Sequence, residues 1–274
     1  MSTTPAPAPS AGPTTGSFRG MADLRLVRTQ VHYEQLSFWL NPIGAIFTVG
    51  FSTVFLLIFE ATSGRTRIGS LGGLKLIQYY VPGFIAYGVM SSCFSILSIV
   101  IVNRREMGLL KRLRLSPAPT WILMSAVLVS TMIICLIQIV LMLVVGRGFG
   151  VHGPADWGAF VVTLLVGMAA FTALGMGVST LIPNADAAGP VVNIVFFIVL
   201  AFSGLYYPIP PGSTLARITD YLPVRRLIVS LQDSFNNIPH TSSWAWHNLL
   251  VIAVWGVAGA YLALRRWQWS PRRG

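Results

Sequence analysis

Six long apolar stretches, separated by shorter polar segments, are the main feature of this sequence. They are Ile43–Phe59, Tyr80–Val102, Trp121–Val145, Gly158–Ile182, Ala187–Tyr207 and Asn248–Leu264. A helix needs about 20 apolar residues to cross the hydrocarbon core of a bilayer. The stretches lack the two-residue alternation of barrel strands, and a helix satisfies its own backbone hydrogen bonds in lipid. The pattern therefore predicts six transmembrane helices.

The composition agrees with a membrane protein. Hydrophobic residues make up 54% of the chain and charged residues 10%, and the mean hydropathy is +0.69. A soluble domain carries about 25% charged residues, which cover its surface. The excess of apolar residues therefore has to face lipid.

Basic residues predict the orientation of the chain. Twelve of the 19 Lys and Arg residues fall before the first stretch, between the second and third, and after the last. Because Lys and Arg accumulate in cytoplasmic segments, both termini and residues 103–119 are predicted to be cytoplasmic in a multi-pass protein of the cell membrane. The net charge of +11 also occurs in nucleic-acid-binding proteins. No nucleic acid is expected as a partner, because the basic residues form no patch interleaved with aromatics.

The N-terminal segments differ in composition from the rest. Residues 1–20 are rich in Pro, Ala and Thr and are predicted to form a disordered tail. Residues 21–40 place Leu24, Val27 and Val31 at helical spacing, with charged residues elsewhere. This segment is predicted to be an amphipathic helix on the cytoplasmic surface of the membrane. A plain lead-in to the first span is the alternative.

Residues 103–119 form the most informative polar segment. Leu109, Leu110 and Leu113 are spaced as one face of a short helix, and Pro117 stops it before the next span. The segment is predicted to be a cytoplasmic coupling helix whose movement would move two spans. The alternative is a basic anchor that only sets topology, but such an anchor has no need of the acid Glu106.

Two motifs stand out in the polar segments. The first is Arg105-Glu106, Gly108, Leu110, Arg112-Leu113 and Ser116-Pro117. The second is Phe202-Ser203-Gly204-Leu205-Tyr206-Tyr207-Pro208 followed by Leu222-Pro223-Val224. They resemble the cytoplasmic coupling loop and the motif near the outer end of the fifth helix in the type-2 ABC exporter permeases, the class that includes daunorubicin-resistance-type drug exporters. With the six-helix pattern, the resemblance extends over about residues 25–265.

The resemblance implies the membrane subunit of an ATP-driven exporter, with no catalytic residue in this chain. The chain has no phosphate-binding loop, so ATP and magnesium are expected on a separate ABC nucleotide-binding (ATPase) subunit, and no cofactor or metal on this chain. Because two ATPase sites work as a pair, a second copy or a homologous permease is expected. The expected ATPase contacts are Arg105, Glu106, Gly108, Lys111, Arg112 and Arg114, where Gly108 would let the loop helix pack closely. Outward transport and a role in multidrug resistance rest on the resemblance.

The segment before the last span is expected to form an outer gate. Ser203 and Gly204 can loosen the fifth helix, and Pro208 prevents it from continuing, while Pro223 belongs to the second motif. Residues 214–233 are too polar to span a membrane and too apolar for a free loop, so re-entrant or interfacial helices are expected there. A long surface loop is the alternative.

Small and polar residues within the spans give two further expectations. Ala169, Ala173 and Gly177 recur every four residues, a pattern that lets two helices approach closely, either within the chain or between two copies. The candidate route-lining residues are Ser91, Ser95, Gln138 and Asn193. A hydroxyl in a membrane helix commonly bonds to its own backbone, which is the plainer interpretation of the serines.

Three other functions are weaker interpretations. An ion-coupled transporter usually needs an ionisable group deep in the membrane, and no Asp, Glu, Lys or Arg lies in the middle of a stretch. An uncoupled channel stays open as an alternative. An intramembrane protease needs a base beside its serine, and the four histidines lie outside the stretches or at their edges.

The sequence therefore predicts an all-α integral membrane protein. It has six transmembrane helices, an N-terminal interfacial amphipathic helix, a cytoplasmic coupling helix and an outer re-entrant or interfacial segment before the last span. The predicted segments are the tail 1–20, the interfacial helix 21–40, the transmembrane domain 41–264 and a basic cytoplasmic tail 265–274. The expected function is a permease that moves a hydrophobic or amphiphilic substrate, drug-like or lipid-linked, outward.

Overall fold

The structure, a computed structural model, describes residues 21–63, 67–68, 74–108, 120–205, 214–236 and 243–267. Within these ranges nine helices and one short β pair follow one another. They are α1 (Met21–Trp39), α2 (Pro42–Thr62), β1 (Arg67–Ile68), β2 (Leu74–Lys75), α3 (Leu76–Glu106), α4 (Thr120–Gly148), α5 (Trp157–Ser179), α6 (Ala185–Ala201), α7 (Thr214–Thr219), α8 (Pro223–Phe235) and α9 (Trp246–Arg266). The predicted tail 1–20 lies outside the described residues.

Within the described ranges, five helices are long and apolar enough to cross a membrane: α2, α3, α4, α5 and α9. The predicted helical architecture is thereby confirmed, and these five helices correspond to five of the six predicted stretches. Helix α6 corresponds to the predicted fifth stretch but has only 17 residues. It ends at Ala201 and not near Tyr207, because a turn follows in which Gly204 has a φ of +80°, a conformation that favours glycine.

The predicted coupling helix differs from the structure at its start. Residues 103–106 are the last turn of α3, and no separate helix begins there. The Met107 N–H donates to the carbonyl oxygen of Asn103 at 3.0 Å, and the Gly108 N–H donates to that of Arg105 at 3.1 Å. Residues 109–119 lie outside the described residues.

Helix α5 packs closely against α3. A Cβ atom placed on Gly175 would lie 2.8 Å from the carbonyl oxygen of Cys93 and 3.0 Å from that of Phe94. These two carbonyls belong to a π-helical segment of α3, Met90–Ile96, whose wider turn re-aims backbone groups. The Ser98 hydroxyl lies 2.9 Å from the Gly175 carbonyl oxygen, to which it donates. Only glycine fits at residue 175 without pushing the two helices apart.

Helix α5 is equally close to α9. A Cβ atom on Gly177 would lie 2.7 Å from the Gly259 carbonyl oxygen, and a Cβ atom on Gly259 would lie 2.8 Å from the carbonyl carbon of Ala173. The predicted small-residue stripe therefore meets a helix of the same chain at Ala173 and Gly177. Ala169 is exposed and lies outside this contact.

Helix α1 is attached to the spans. It packs along α4, where the side-chain amide of Gln35 donates to both the carbonyl and the hydroxyl oxygen of Ser130, each at 2.9 Å. The Trp39 indole N–H in turn donates to the Gln35 side-chain oxygen at 3.1 Å. The C-terminal half of the helix is therefore bonded to the bundle.

Gly259 provides a test of the α5–α9 contact. Replacing a helical glycine by alanine normally stabilises a helix by up to about 1 kcal/mol. At Gly259 the added methyl would lie 2.7 Å from the backbone of Leu174, so Gly259→Ala should instead lower the free energy of unfolding by about 1–3 kcal/mol. The measurement is the thermal loss of the monodisperse peak in mild detergent.

The matched control for Gly259→Ala is Gly189→Ala in α6, where no heavy atom of the described residues lies within 4 Å of the new methyl. This control should be neutral or slightly stabilising. Equal thermal stability of the two variants would contradict the close contact.

Candidate functional site

The last turn of α3 carries two consecutive arginines that reach different neighbours. Successive residues of a helix point about 100° apart. Arg104 points toward α1, where its guanidinium forms a two-bond ion pair with the Glu34 carboxylate, one N–H donating at 2.8 Å. Both side chains are partly buried, which strengthens a paired geometry of this kind. The ion pair fastens α1 to the end of α3.

Arg105 points in another direction, into the bundle. Its side chain is 3% exposed, and its guanidinium donates to the carbonyl oxygens of Ser179, at 3.2 Å, Ile182 and Pro183. Helix α5 ends at Ser179, so these carbonyls lack partners within a helix and lie at the negative end of its dipole. Arg105 therefore caps the end of α5 and holds the turn that leads to α6.

Glu106 and Gly108 lie where the chain leaves this junction. The Glu106 side chain is partly exposed and makes no hydrogen bond or ion pair with the part of the chain that the structure describes. Met107 beside it is 62% exposed. Gly108 has a φ of +67°, the left-handed conformation that commonly ends a helix.

Among the described residues no heavy atom lies within 4 Å of where a Cβ atom on Gly108 would stand. The close packing expected of Gly108 involves the following loop and stays a prediction. Lys111, Arg112 and Arg114 lie outside the described residues.

The contacts of the two arginines make the end of α3 a junction. It is bound to α1 through Arg104 and to the α5–α6 turn through Arg105, while Glu106 is partly exposed. A displacement of the loop that follows would therefore act on several helices at once. Sequence reasoning missed Glu34 as a partner, although an acid within the predicted amphipathic helix is a signal that could have suggested it.

At the opposite end of the molecule, α8 packs its apolar face against α3, α5 and α9. Pro223 is buried in its first turn, where the missing N–H of proline is not needed. The side chain of Leu227 fills the space beside Gly167. Asp220 accepts from Arg225 at 2.8 Å, and Arg226 donates to Asn248 of α9 at 2.8 Å. These bonds fix the segment before the last helix to the bundle.

The turn after α6 is also buried. The Ser203 hydroxyl donates to the Leu200 carbonyl oxygen at 2.6 Å and accepts from the Leu205 N–H at 3.1 Å. Leu205 packs over Gly83 of α3, where a Cβ atom would lie 2.5 Å from its side chain. Ser203 and Gly204 thus end a helix and seat Leu205 against α3. Pro208 lies outside the described residues.

The comparison with protein families matches residues 70–265 to the family described as ABC-2 family transporter protein. This match covers more than half of the 274 residues. The chain belongs to the ABC-2 transporter family. The comparison with curated proteins gives no match. The matched range contains α3 to α9, with the junction arginines, and members of the family are membrane components of transporters.

In this ABC-2 protein, the candidate route-lining residues lie in three different surroundings. Gln138 is fully buried, donates to the Ser52 hydroxyl at 2.6 Å and accepts from the Ser92 hydroxyl at 2.9 Å. It therefore joins α2, α3 and α4 within the chain. Ser95 is buried, Ser91 is half-buried and Asn193 is exposed on α6.

Among the described residues no group of three or more His, Cys, Asp and Glu side chains is placed to hold a metal ion.

One carboxyl group has a pKa that differs clearly from its ordinary value. Burial raises the pKa of Asp233, near the end of α8, from its ordinary value of 3.8 to about 6. The ionised form of this side chain is therefore disfavoured in the folded ABC-2 protein.

Arg105 provides a test of the junction. Arg105→Met keeps an unbranched apolar stem but removes the guanidinium, and so leaves the carbonyls at the end of α5 without their charged donor. We expect a loss of about 1.5–3 kcal/mol in the free energy of unfolding, the range for hydrogen bonds to a charged group. Arg266→Met, at an exposed arginine of α9, is the control and should change stability by less than about 0.5 kcal/mol. Similar thermal stability in detergent for both variants would show that Arg105 does not act as a cap.

Asp233 predicts a dependence of stability on pH. A carboxyl whose pKa is raised in the folded state is penalised when ionised, so the wild type should lose stability as pH rises from about 4 to about 6. Asp233→Asn should remove this loss and unfold at a higher temperature than the wild type near neutral pH. Asp186→Asn, at an exposed acid of α6, should give no such gain. A gain of the same size at pH 4 and pH 7 would refute the assignment.

Proposed function

We propose that this chain is the membrane-spanning permease subunit of an ATP-driven ABC exporter. It moves a hydrophobic or amphiphilic substrate outward, and a separate nucleotide-binding subunit hydrolyses the ATP. The observation that carries the proposal is the junction at the end of α3, where a partly exposed acid follows two arginines that are bound to α1 and to the end of α5. A partner that pushes there acts on the whole bundle.

Within this proposal the residues of the coupling segment have different roles. Glu106 makes charged contacts with the ATPase subunit, together with Lys111, Arg112 and Arg114 of the following loop. Arg105 is buried, so it positions the loop rather than touching the partner. Gly108 turns the backbone away from α3 and thereby sets the direction in which the loop leaves.

We further propose that α6 is the sixth transmembrane helix. Its 17 residues extend over about 25 Å, close to the thickness of the hydrocarbon core. Helices α7 and α8 then lie at the outer leaflet as re-entrant elements, with the backbone of α8 covered by three other helices. This topology places both termini in the cytoplasm, consistent with Arg265 and Arg266 at the end of α9.

A second permease copy accounts for the outer face of α6. Asn193 is exposed there, beside Ile194 and Phe197, and an amide facing lipid has no partner for its hydrogen bonds. A second copy would cover this face and place Asn193 at the dimer interface, on the route between the two chains. Ser91 and Ser95 of α3 belong to the interior of one chain in this arrangement.

The proposal also favours an amphiphilic passenger over a small ion. No Asp, Glu, Lys or Arg lies in the middle of a span, whereas ion- and proton-coupled transporters usually carry such a group at depth. An uncoupled channel is the other candidate. Copurification of an ATPase distinguishes the exporter from both alternatives.

The first experiment is a pull-down of the tagged chain in mild detergent, with the proteins of neighbouring genes co-expressed. A soluble ATPase with a phosphate-binding loop should copurify, and its hydrolysis should rise in the presence of the permease. A chain that is recovered alone under every condition would overturn the exporter proposal.

The coupling role of Glu106 is tested by charge reversal. Glu106→Lys should leave membrane insertion intact and lower the recovery of the ATPase and its stimulated hydrolysis by about tenfold. The reason is that the group on the ATPase that pairs with the Glu106 carboxylate would then face a positive charge. Arg266→Glu, a reversal at another exposed cytoplasmic site, is the control and should retain both. Undiminished stimulation in Glu106→Lys would exclude the assigned role.

A further inference from the structure

A cavity of about 280 Å³ lies between α1 and the inner halves of α2, α3 and α4. Typical small-molecule sites measure about 300–1,000 Å³, so this cavity is just below that range. It is separate from the Glu106 side of the junction, because Arg104 faces it and Glu106 does not line it. Its occupant is therefore a question apart from the contact with the ATPase.

The lining changes from charged to apolar with depth. Glu34, Arg104 and Asn41 lie at the inner end, whereas Ile96, Val100 and Ile134 line the part farther into the spans. Arg104 and Ile96 are eight residues apart along α3, which corresponds to about 12 Å. A polar head and an apolar chain are arranged in the same order in an amphiphile that enters from the inner leaflet.

The charged end of the cavity carries one positive and one negative side chain. Glu34 and Arg104 are the charged side chains among the described residues that line the cavity, and they form an ion pair with each other. A guanidinium has five N–H donors and a carboxylate about four acceptor sites. Two bonds between them leave capacity on both groups. A head group that carries a phosphate and an ammonium can therefore contact Arg104 with the first and Glu34 with the second.

The wall formed by α1 can give access to the cavity. It is held on α4 by the two bonds from Gln35 to Ser130 and on α3 by the two-bond ion pair of Arg104 with Glu34. The Phe38 side chain of α1 lies over the cavity. A small outward movement of α1 would admit a ligand from the membrane side.

We propose that this cavity binds a single-chain amphiphile with a zwitterionic phosphate-containing head group, with its head between Arg104 and Glu34 and its chain along Ile96, Val100 and Ile134. The volume of about 280 Å³ is enough for only part of one such molecule, so the end of its chain extends beyond the cavity and no space is left for a second chain. The site goes beyond the exporter function, and binding there requires no ATPase subunit. Its failure in a binding test would therefore leave the coupling role of Glu106 untouched.

The test uses the purified full chain in lipid nanodiscs and a photoactivatable lysophosphatidylcholine. Labelled peptides identified by mass spectrometry should come from α3 and α4 around Val100 and Ile134. Val100→Trp fills the cavity and should lower this labelling by about tenfold. Val129→Trp places the same bulk on the lipid-facing side of α4, where Val129 is 40% exposed, and should keep it. Equal labelling of the two variants would overturn the proposal.

Competition on the wild type gives a second readout that needs no cavity variant to fold. Unlabelled lysophosphatidylcholine should abolish labelling of these peptides in a saturable way, and a two-chain phosphatidylcholine should not. Labelling that does not saturate, or that the two-chain lipid competes equally, would mean contact with bulk lipid and would overturn the site.

The head-group assignment is tested by removing both charges together. Glu34→Gln combined with Arg104→Met leaves no buried charge unpaired, and should abolish the preference for lysophosphatidylcholine over the anionic lysophosphatidylglycerol. A wild type that labels equally with both probes would contradict zwitterionic recognition.

Discussion

The close approach of α5 to its two neighbours is the constraint on which the rest of the structure depends. At Gly175 the backbone of α5 meets carbonyls of α3, and at Gly177 it meets the backbone of α9, with no side chain between them. Lipid tails are as apolar as the spans, so helices in a membrane gain little from the hydrophobic effect when they associate, and rely on such close van der Waals contact. Any sliding of α5 would separate these surfaces. The three helices therefore act as one body, on which the outer helix α8 is seated.

The junction connects this body to α1 and to the loop after Gly108. Arg105 is buried and bonded to the carbonyls at the end of α5, whereas the ion pair of Arg104 with Glu34 is partly exposed. Water reaches the Arg104–Glu34 pair more easily than the guanidinium of Arg105, and so screens the pair more strongly. A displacement of the loop after Gly108 is therefore transmitted to α5 more firmly than to α1. In the proposed exporter, the body formed by α3, α5 and α9 would move with the ATPase subunit, and α1 would be the element that can part from it.

The sequence predicted the spans well because the bilayer fixes their length and lipid requires apolar surfaces, and these constraints act on each stretch separately. The predicted end of the fifth stretch was wrong because Phe202 and Leu205 continue the apolar pattern, although the left-handed backbone at Gly204 stops the helix. Only part of the junction could be predicted from the sequence. Arg105 was recognised as part of a motif, but its bonds reach residues more than 70 positions away. Gln138 was interpreted as route lining because an isolated amide in an apolar helix looks unsatisfied, and its partners on α2 and α3 become evident only in the packed bundle.

The cavity and the junction share one helical turn, which has a thermodynamic consequence. Arg104 forms the charged end of the cavity and Arg105 caps α5, so the position of this turn affects both. If a ligand in the cavity weakens the bond between α1 and Arg104, it changes how readily the turn moves, and hence the free energy of the contact with a partner at Glu106. Linkage then requires that the partner change the affinity of the ligand by the same factor. Only a ligand that binds the two positions of the turn with different affinity can produce this coupling. The head group, which contacts Arg104 directly, is the part of the ligand that can distinguish between them, whereas the chain, which contacts residues deeper in the bundle, contributes affinity without coupling.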